Sequence, residues 1–300
     1  MKRILIITLL IATLVVAGCG SSEPATNTRS AFLGGTEGVV ANFELFGVVE
    51  DSIQSIFDTE TFPIEVTIQN KGENDLAPGD VKLELLGPAE EEFNGVASRE
   101  LQNQDDIEKI SELSPEGGEE TIVFADEAQF NEGITNFLDR TWFANIEYDY
   151  KTFIVIPEVC LKEDLTDDRV CDVKGTKEHF VSGAPITVDQ NMVTEDTAGR
   201  GIMALKIKIR NAKNGDVAKQ GEEFDDRRDK LSYTIDDDDW ECKSAGKVNE
   251  ARLFNGEADI VCKLKEALAE DTIATKQVKL TLEYTYRELI EETVRIKESS

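Results

Sequence analysis

The sequence predicts an all-β protein: two tandem β-sandwich domains carried behind an N-terminal export signal. Three observations lead there. Short matches recur in the same order down the chain at nearly constant spacing. Apolar and polar residues alternate with period two through many short runs. The first residues form a charged, then apolar, then small-residue segment.

The signal comes first in the chain. Lys2 and Arg3 make a positive start, and an apolar run from Ile4 to Val16 follows, broken only by Thr8 and Thr13. That run is shorter than the roughly 20 apolar residues that a spanning helix needs. It ends in Val16-Ala17-Gly18-Cys19, which resembles a lipobox. The resemblance implies cleavage before Cys19 and diacylation of its thiol, so that 1–18 is signal peptide and Cys19 the lipidation site. Two acyl chains, each contributing about 0.8 kcal/mol per buried CH2, hold where one is marginal. Gly20 to Ser30 (GSSEPATNTRS) is small and polar, and 19–37 reads as a lipid-anchored tether. The expected location is therefore the outer face of the cytoplasmic membrane or the cell surface.

Composition narrows the partners. Hydrophobic residues make up 40% of the 300, enough for packed cores, and the net charge is −29. Removing the signal takes away Lys2 and Arg3 and no acid, leaving −31. Such a surface opposes nucleic-acid binding, which needs cations to displace counterions. It also opposes lying flat on anionic lipid. The membrane is thus expected as a partner only through the anchor.

The body of the chain repeats itself. Ile68 to Asp75 (IQNKGEND) returns as IRNAKNGD from Ile209, an offset of 141. GEETIV from Gly118 returns as GEADIV from Gly256, offset 138, and IEYDY from Ile146 returns as LEYTY from Leu282, offset 136. Three ordered matches predict two copies of one domain, 38–158 and 183–300, with 159–182 between them. Strands follow from alternation. Ile64, Val66 and Ile68 share one face; so do Val81, Leu83 and Leu85; so do Leu205, Ile207 and Ile209; and Val278 to Tyr286 continues the pattern. Turn residues at 70–74, 115–118 and 255–256 separate the runs. Asp106 to Leu113 has helical spacing and predicts a short helix. Arg287 to Arg295 (RELIEETVR) looks helical by propensity, but the repeat aligns it with Lys151 to Val159 and predicts a strand.

A family resemblance rests on one stretch. Val66-x-Ile68-x-Asn70-x-Gly72, a polar loop with Gly79-Asp80, then Val81-x-Leu83-x-Leu85-x-Gly87 is similar to the immunoglobulin-like domains of bacterial and archaeal surface proteins of the CARDB kind. The resemblance implies two tandem immunoglobulin-like sandwiches with a spacing or binding role, and it carries no catalytic residues. The second copy departs from it. Ala212-Lys213 stands where a glycine turn is expected, and a long acidic insertion follows.

Candidate sites are few. With Cys19 lipidated, Cys160, Cys171, Cys242 and Cys262 remain, an even number that suggests disulfides in an exported protein. Of three pairings, the two local ones, Cys160 with Cys171 and Cys242 with Cys262, are favoured. A stapled loop at 160–171 would limit movement between the copies. Asp236, Asp237, Asp238 and Asp239 are the candidate metal ligands, for calcium, which takes 6–8 oxygen ligands. No other cofactor is expected. His179, the lone histidine, lacks a nucleophile elbow or zinc motif beside it. Trp142, Tyr148, Tyr150, Trp240, Tyr284 and Tyr286 suit a core better than a glycan platform. Lys206, Lys208 and Arg210 form a basic stripe expected to pair with acids such as Glu283.

These features favour a non-catalytic, membrane-anchored extracellular interaction or structural module with a protein or surface-assembly partner. Two other classes stay open: a solute- or cation-binding lipoprotein, and a carboxylate-based secreted hydrolase.

Overall fold

The computed structural model describes residues 30–299 apart from 51, 168 and 226. Cys19 and the expected signal lie outside the described residues. The chain is all-β. Its first half runs β1 (Val39–Phe43), β2 (Val48–Glu50), β3 (Ile53–Phe57), β4 (Thr61–Asn70), β5 (Val81–Leu86), β6 (Phe93–Asn94), β7 (Glu100–Gln102), β8 (Glu119–Phe130) and β9 (Phe137–Lys162). The second half runs β10 (Gly175–Thr176), β11 (Phe180–Val181), β12 (Ile186–Thr187), β13 (Val193–Gly199), β14 (Ile202–Asn211), β15 (Asp216–Ala218) and β16 (Lys230–Ile235). It ends in β17 (Trp240–Ser244), β18 (Lys247–Val248), β19 (Glu250–Arg252), β20 (Glu257–Leu264) and β21 (Ile273–Lys297). A three-residue 3-10 turn at Glu90–Glu92 is the one helical element among the described residues. No helix there is long and apolar enough to cross a membrane.

Period-two patterning produces these strands. Ile64, Val66 and Ile68 of β4, Val81, Leu83 and Leu85 of β5, and every even-numbered residue from Val278 to Tyr286 of β21 are buried. Arg287 to Arg295 continues β21, as the repeat predicts and against its helical propensity. Asp106 to Leu113 forms no helix. Ile107 instead makes a β-bridge to Leu76, and the two exchange main-chain bonds of 2.9 and 3.2 Å.

Two sheets belong to one half each. The first has strand order β1-β4-β8-β6, and the second β10-β13-β14-β20-β17-β18 with β12 on β14. The third is shared, in the order β19-β16-β21-β9-β5-β7. Each half packs its own small sheet on its wing of the shared one. Phe93 of β6 meets Trp142 of β9 with centroids 5.0 Å apart. In the second half, the Tyr233 hydroxyl of β16 shares its one proton between the carbonyls of Cys242 (3.2 Å) and Lys247 (3.1 Å).

The seam of the shared sheet is the antiparallel pair β9–β21, running from Ile273↔Lys162 to Lys297↔Phe137. Its register is self-complementary. Tyr148 faces Tyr286, Tyr150 faces Tyr284, and Asp149 faces Thr285. With the offset of 136, Thr285 is the counterpart of Asp149, so each strand meets its own equivalent about that point. This is the isologous pairing of a two-fold dimer, built inside one chain. Thr285 Oγ1 donates to Asp149 Oδ1 at 2.5 Å on the axis. Phe32–Ser300 form one compact unit. The segment 159–182, expected between the copies, contributes the end of β9, β10 and β11 to the sheets.

Candidate functional site

Four tyrosines gather at the pseudo-twofold. Tyr148 and Tyr286 lie 5.6 Å apart, as do Tyr148 and Tyr150, while Tyr150–Tyr284 and Tyr284–Tyr286 are 6.4 Å apart. Even residues of both strands point into the core, so the ladder itself stacks these rings. Two of them lock turns. The Tyr150 hydroxyl donates to Asn70 Oδ1 (3.1 Å), Asn70 Nδ2 donates to the Asn74 carbonyl (2.7 Å), and Asn74 N–H donates back to Tyr150 (3.3 Å). The same three bonds recur with Tyr286, Asn211 and Gly215, at 2.8, 2.7 and 3.1 Å. The repeated sequences IQNKGEND and IRNAKNGD are therefore repeated hydrogen-bond machinery.

The other two tyrosines differ. The Tyr284 hydroxyl lies 3.0 Å from Thr152 Oγ1, which itself donates to the Ile186 carbonyl at 2.8 Å, and Ile186 N–H donates to Tyr284 at 3.4 Å. Every polar atom there is served. Tyr148, the counterpart of Tyr284, is buried with no hydrogen-bond partner for its hydroxyl among the described residues. The counterpart of Thr152 is Glu288 (152 plus 136). Burial, first of all, raises the Glu288 carboxyl above its usual range, Lys213 opposes that, and Glu37 adds to it. Lys213 forms an ion pair with Glu37. Lys213 stands at the position of Gly72, where the resemblance led us to expect glycine, and Glu37 at that of the buried Ala184.

An open groove of about 620 Å³ adjoins this cluster, lined by Leu86, Lys213, Asp216, Arg287, Glu288 and Leu289 among others. Arg287 pairs with Asp216 at 2.7 Å. The groove thus offers carboxylates, two cations already engaged, and an apolar floor of Leu86 and Leu289. Sequence reasoning missed Glu288, although a signal was present. Even positions from Val278 to Ile296 are apolar or tyrosine except Glu288 and Glu292.

The residues singled out from sequence lie elsewhere. Cys160–Cys171 and Cys242–Cys262 are disulfides, with sulfurs 2.08 and 2.02 Å apart. The first closes a loop whose carbonyls at Asp167 and Cys171 both accept from Lys162 Nζ at 2.5 Å. Asp236 to Asp239 lie in the turn between β16 and β17. Asp236 accepts from Lys279 N–H (2.8 Å), and Asp237 takes Lys276 at 2.7 Å, with Asp239 3.7 Å from the same ammonium. Lys276 thus supplies compensating charge to Asp237 and Asp239. Among the described residues, no three His, Cys, Asp or Glu side chains converge as a metal site. His179 Nδ1 lies 3.1 Å from the Lys177 carbonyl. The six named Trp and Tyr side chains are core. The basic stripe pairs with Asp259 (2.9 Å), Glu257 (2.5 Å) and Asp189, whereas Glu283, the partner expected, takes Lys151 at 2.8 Å.

No family model and no curated protein sequence matches this chain. Among solved structures, the secreted serine protease VesC from Vibrio cholerae aligns at 8% identity over 85% of this chain and 51% of that one, with a TM-score of 0.17. The chain spans about half the length of that protein. A likeness at this level carries no argument about fold or activity.

Proposed function

We propose that the chain is an exported, lipid-anchored, non-catalytic interaction or structural module. Cys19 holds it at the outer face of the cytoplasmic membrane or the cell surface, and two immunoglobulin-like halves present a binding face to a protein or surface-assembly partner. The observation that carries this reading is the self-complementary β9–β21 seam. It fuses the halves into one stiff body, which suits a spacer or platform. The groove beside it has engaged charges and an apolar floor, a lining that suits recognition.

Two linked experiments test this. Cells making the wild-type chain or Cys19→Ala are fractionated, and intact cells are crosslinked before mass spectrometry. The wild type is expected in the membrane fraction with a reproducible protein adduct, and the variant in the soluble fraction. Unchanged membrane partition of Cys19→Ala would sink the anchor. Turnover of a glycan or peptide by the purified ectodomain, with no protein adduct on cells, would sink the module.

A further inference from the structure

The central strands carry the same outer edge twice, and only one copy is covered. On β9, odd-numbered residues turn N–H and C=O away from β21. Phe153 N–H donates to the Ser182 hydroxyl (2.9 Å), and its carbonyl accepts from Ser182 N–H (2.9 Å). β11 extends that cover, with Val181 opposite Ile154 and Phe180 opposite Val155. On β21 the parity is the same. Lys279 N–H donates to Asp236 Oδ1 (2.8 Å), and its carbonyl accepts from Asp236 N–H (3.0 Å).

β15 covers the β21 edge as far as Arg287, and β3 resumes at Val294. Among the described residues, no strand pairs with 288–293 on that side. The outward odd residues in the interval are Leu289, Glu291 and Thr293. Thr293 N–H is capped by the Glu292 carboxylate at 3.0 Å. Leu289 and Glu291 are left with main-chain donors and acceptors facing a notch, and Leu289 is 60% exposed. Leu289 is the counterpart of Phe153 (153 plus 136).

The segment that could cover the notch runs elsewhere. Lys71 N–H donates to the Gly38 carbonyl and Ala212 N–H to that of Pro185, both at 2.8 Å, which makes 33–35 the counterpart of 180–182. Leu33 and Gly34 N–H instead donate to Glu73 at 2.9 Å, beside Gly183, and Phe32 stacks on Phe153 at 6.4 Å.

We propose that the notch receives an extended strand of a partner protein that carries basic and apolar residues in alternation, added antiparallel to β21 as β11 is to β9. The proposal rests on the interaction-module reading. Exposed edges are templates for strand addition, in which main-chain bonds give affinity and alternate side chains give specificity. The charge is set by the surroundings. Lys213 and Arg287 are engaged with Glu37 and Asp216, while Glu288, Glu291 and Glu292 form no ion pair among the described residues. Leu289 and Leu86 offer apolar contact on the outer face. At about 3.3 Å per residue, six positions admit a strand of some 20 Å.

The test uses the mature chain and a short labelled peptide alternating lysine and valine, with a glutamate–valine peptide and a backbone N-methylated lysine–valine peptide as controls. Glu291→Pro deletes one outward N–H that the β9 ladder does not use, and proline is tolerated at such edges. The lysine–valine peptide is expected to bind and to slow amide exchange at Leu289 and Glu291. Neither control peptide binds, and Glu291→Pro weakens binding about tenfold, the weight of roughly one lost main-chain bond. Equal binding to Glu291→Pro overturns the proposal, because charge alone would then explain it. So does full protection of both amides in the free wild type, a result that needs no variant to fold. On cells, a protein adduct mapping to another face overturns this site and leaves the module reading standing.

Discussion

Thr152 and Glu288 occupy equivalent places on either side of one pseudo-twofold, and their surroundings have diverged. Around Thr152 the small sheets close over the seam. Ser182, Gly183, Ala184 and Pro185 are buried, and the threonine and Tyr284 hydroxyls satisfy each other and Ile186. Around Glu288 the same geometry holds a carboxylate, a lysine in place of glycine, a glutamate in place of alanine, an unserved tyrosine hydroxyl and an uncovered edge. One side of the seam is sealed and the other open, and the proposed partner strand would occupy the open side.

The largest expected effect comes from forcing the closed side to resemble the open one. Thr152→Glu buries a carboxylate with no lysine opposite, since Gly72 stands at the place of Lys213. Its cost is expected at about 3–5 kcal/mol, as for a buried charge left uncompensated. Urea unfolding of the purified chain measures it. A loss under about 1 kcal/mol would mean that the closed side is open to water, and the comparison would fail.

The two tyrosine locks give a smaller contrast. Asn70 is fully buried and also donates to the Ile107 carbonyl at 3.2 Å, while Asn211 is half-buried. Asn70→Ala removes the acceptor of the Tyr150 hydroxyl and of Gly72 N–H and the side-chain donor to the Asn74 carbonyl, and it is expected to cost about 3 kcal/mol. Asn211→Ala is expected to cost about half of that, because water reaches its partners. Equal losses in urea unfolding would show that the two halves are sealed alike.

Much of this was legible in the residues, for a physical reason. A strand half-buried on one face must alternate, so its inward positions announce themselves locally; in this chain Val66, Leu83, Ile207 and Leu280 all fall on the core face. The disulfides followed from short sequence separation. What could not be read was which strands from different halves would pair, because a ladder's partner is chosen by tertiary packing and leaves no period in either strand. Hence the seam, and with it the notch, stayed hidden. Asp106 to Leu113 misled because a helix-like spacing of apolar residues also suits a loop pinned at one point, here Ile107. The acidic turn at Asp236 to Asp239 drew attention by density of charge. Glu288, a single acid that breaks an apolar parity, carried more information.

The smallest expected effect follows that residue through pH. Burial holds the Glu288 carboxyl above its ordinary value of 4.5, Glu37 adds to the shift and Lys213 opposes it, and the buried Tyr148 hydroxyl feels the same charge. The folded chain therefore binds this proton more tightly than the unfolded chain. Its stabilising contribution is complete below the unfolded value and is lost as pH rises through the folded one. Glu288→Gln removes the proton while keeping the shape. Relative to the wild type, the variant should gain stability as pH rises from about 4 to 8, since only the wild type must ionise a group in that setting. Thr152→Val on the closed side, where nothing titrates, should differ from the wild type by the same amount across that range. A Glu288→Gln difference that stays flat would place the carboxylate in open water, and a variant that loses stability relative to the wild type as pH rises would mean that the charge of Lys213 outweighs burial. Bound lysine–valine peptide should reduce the slope, because a cation beside Glu288 favours its charged form.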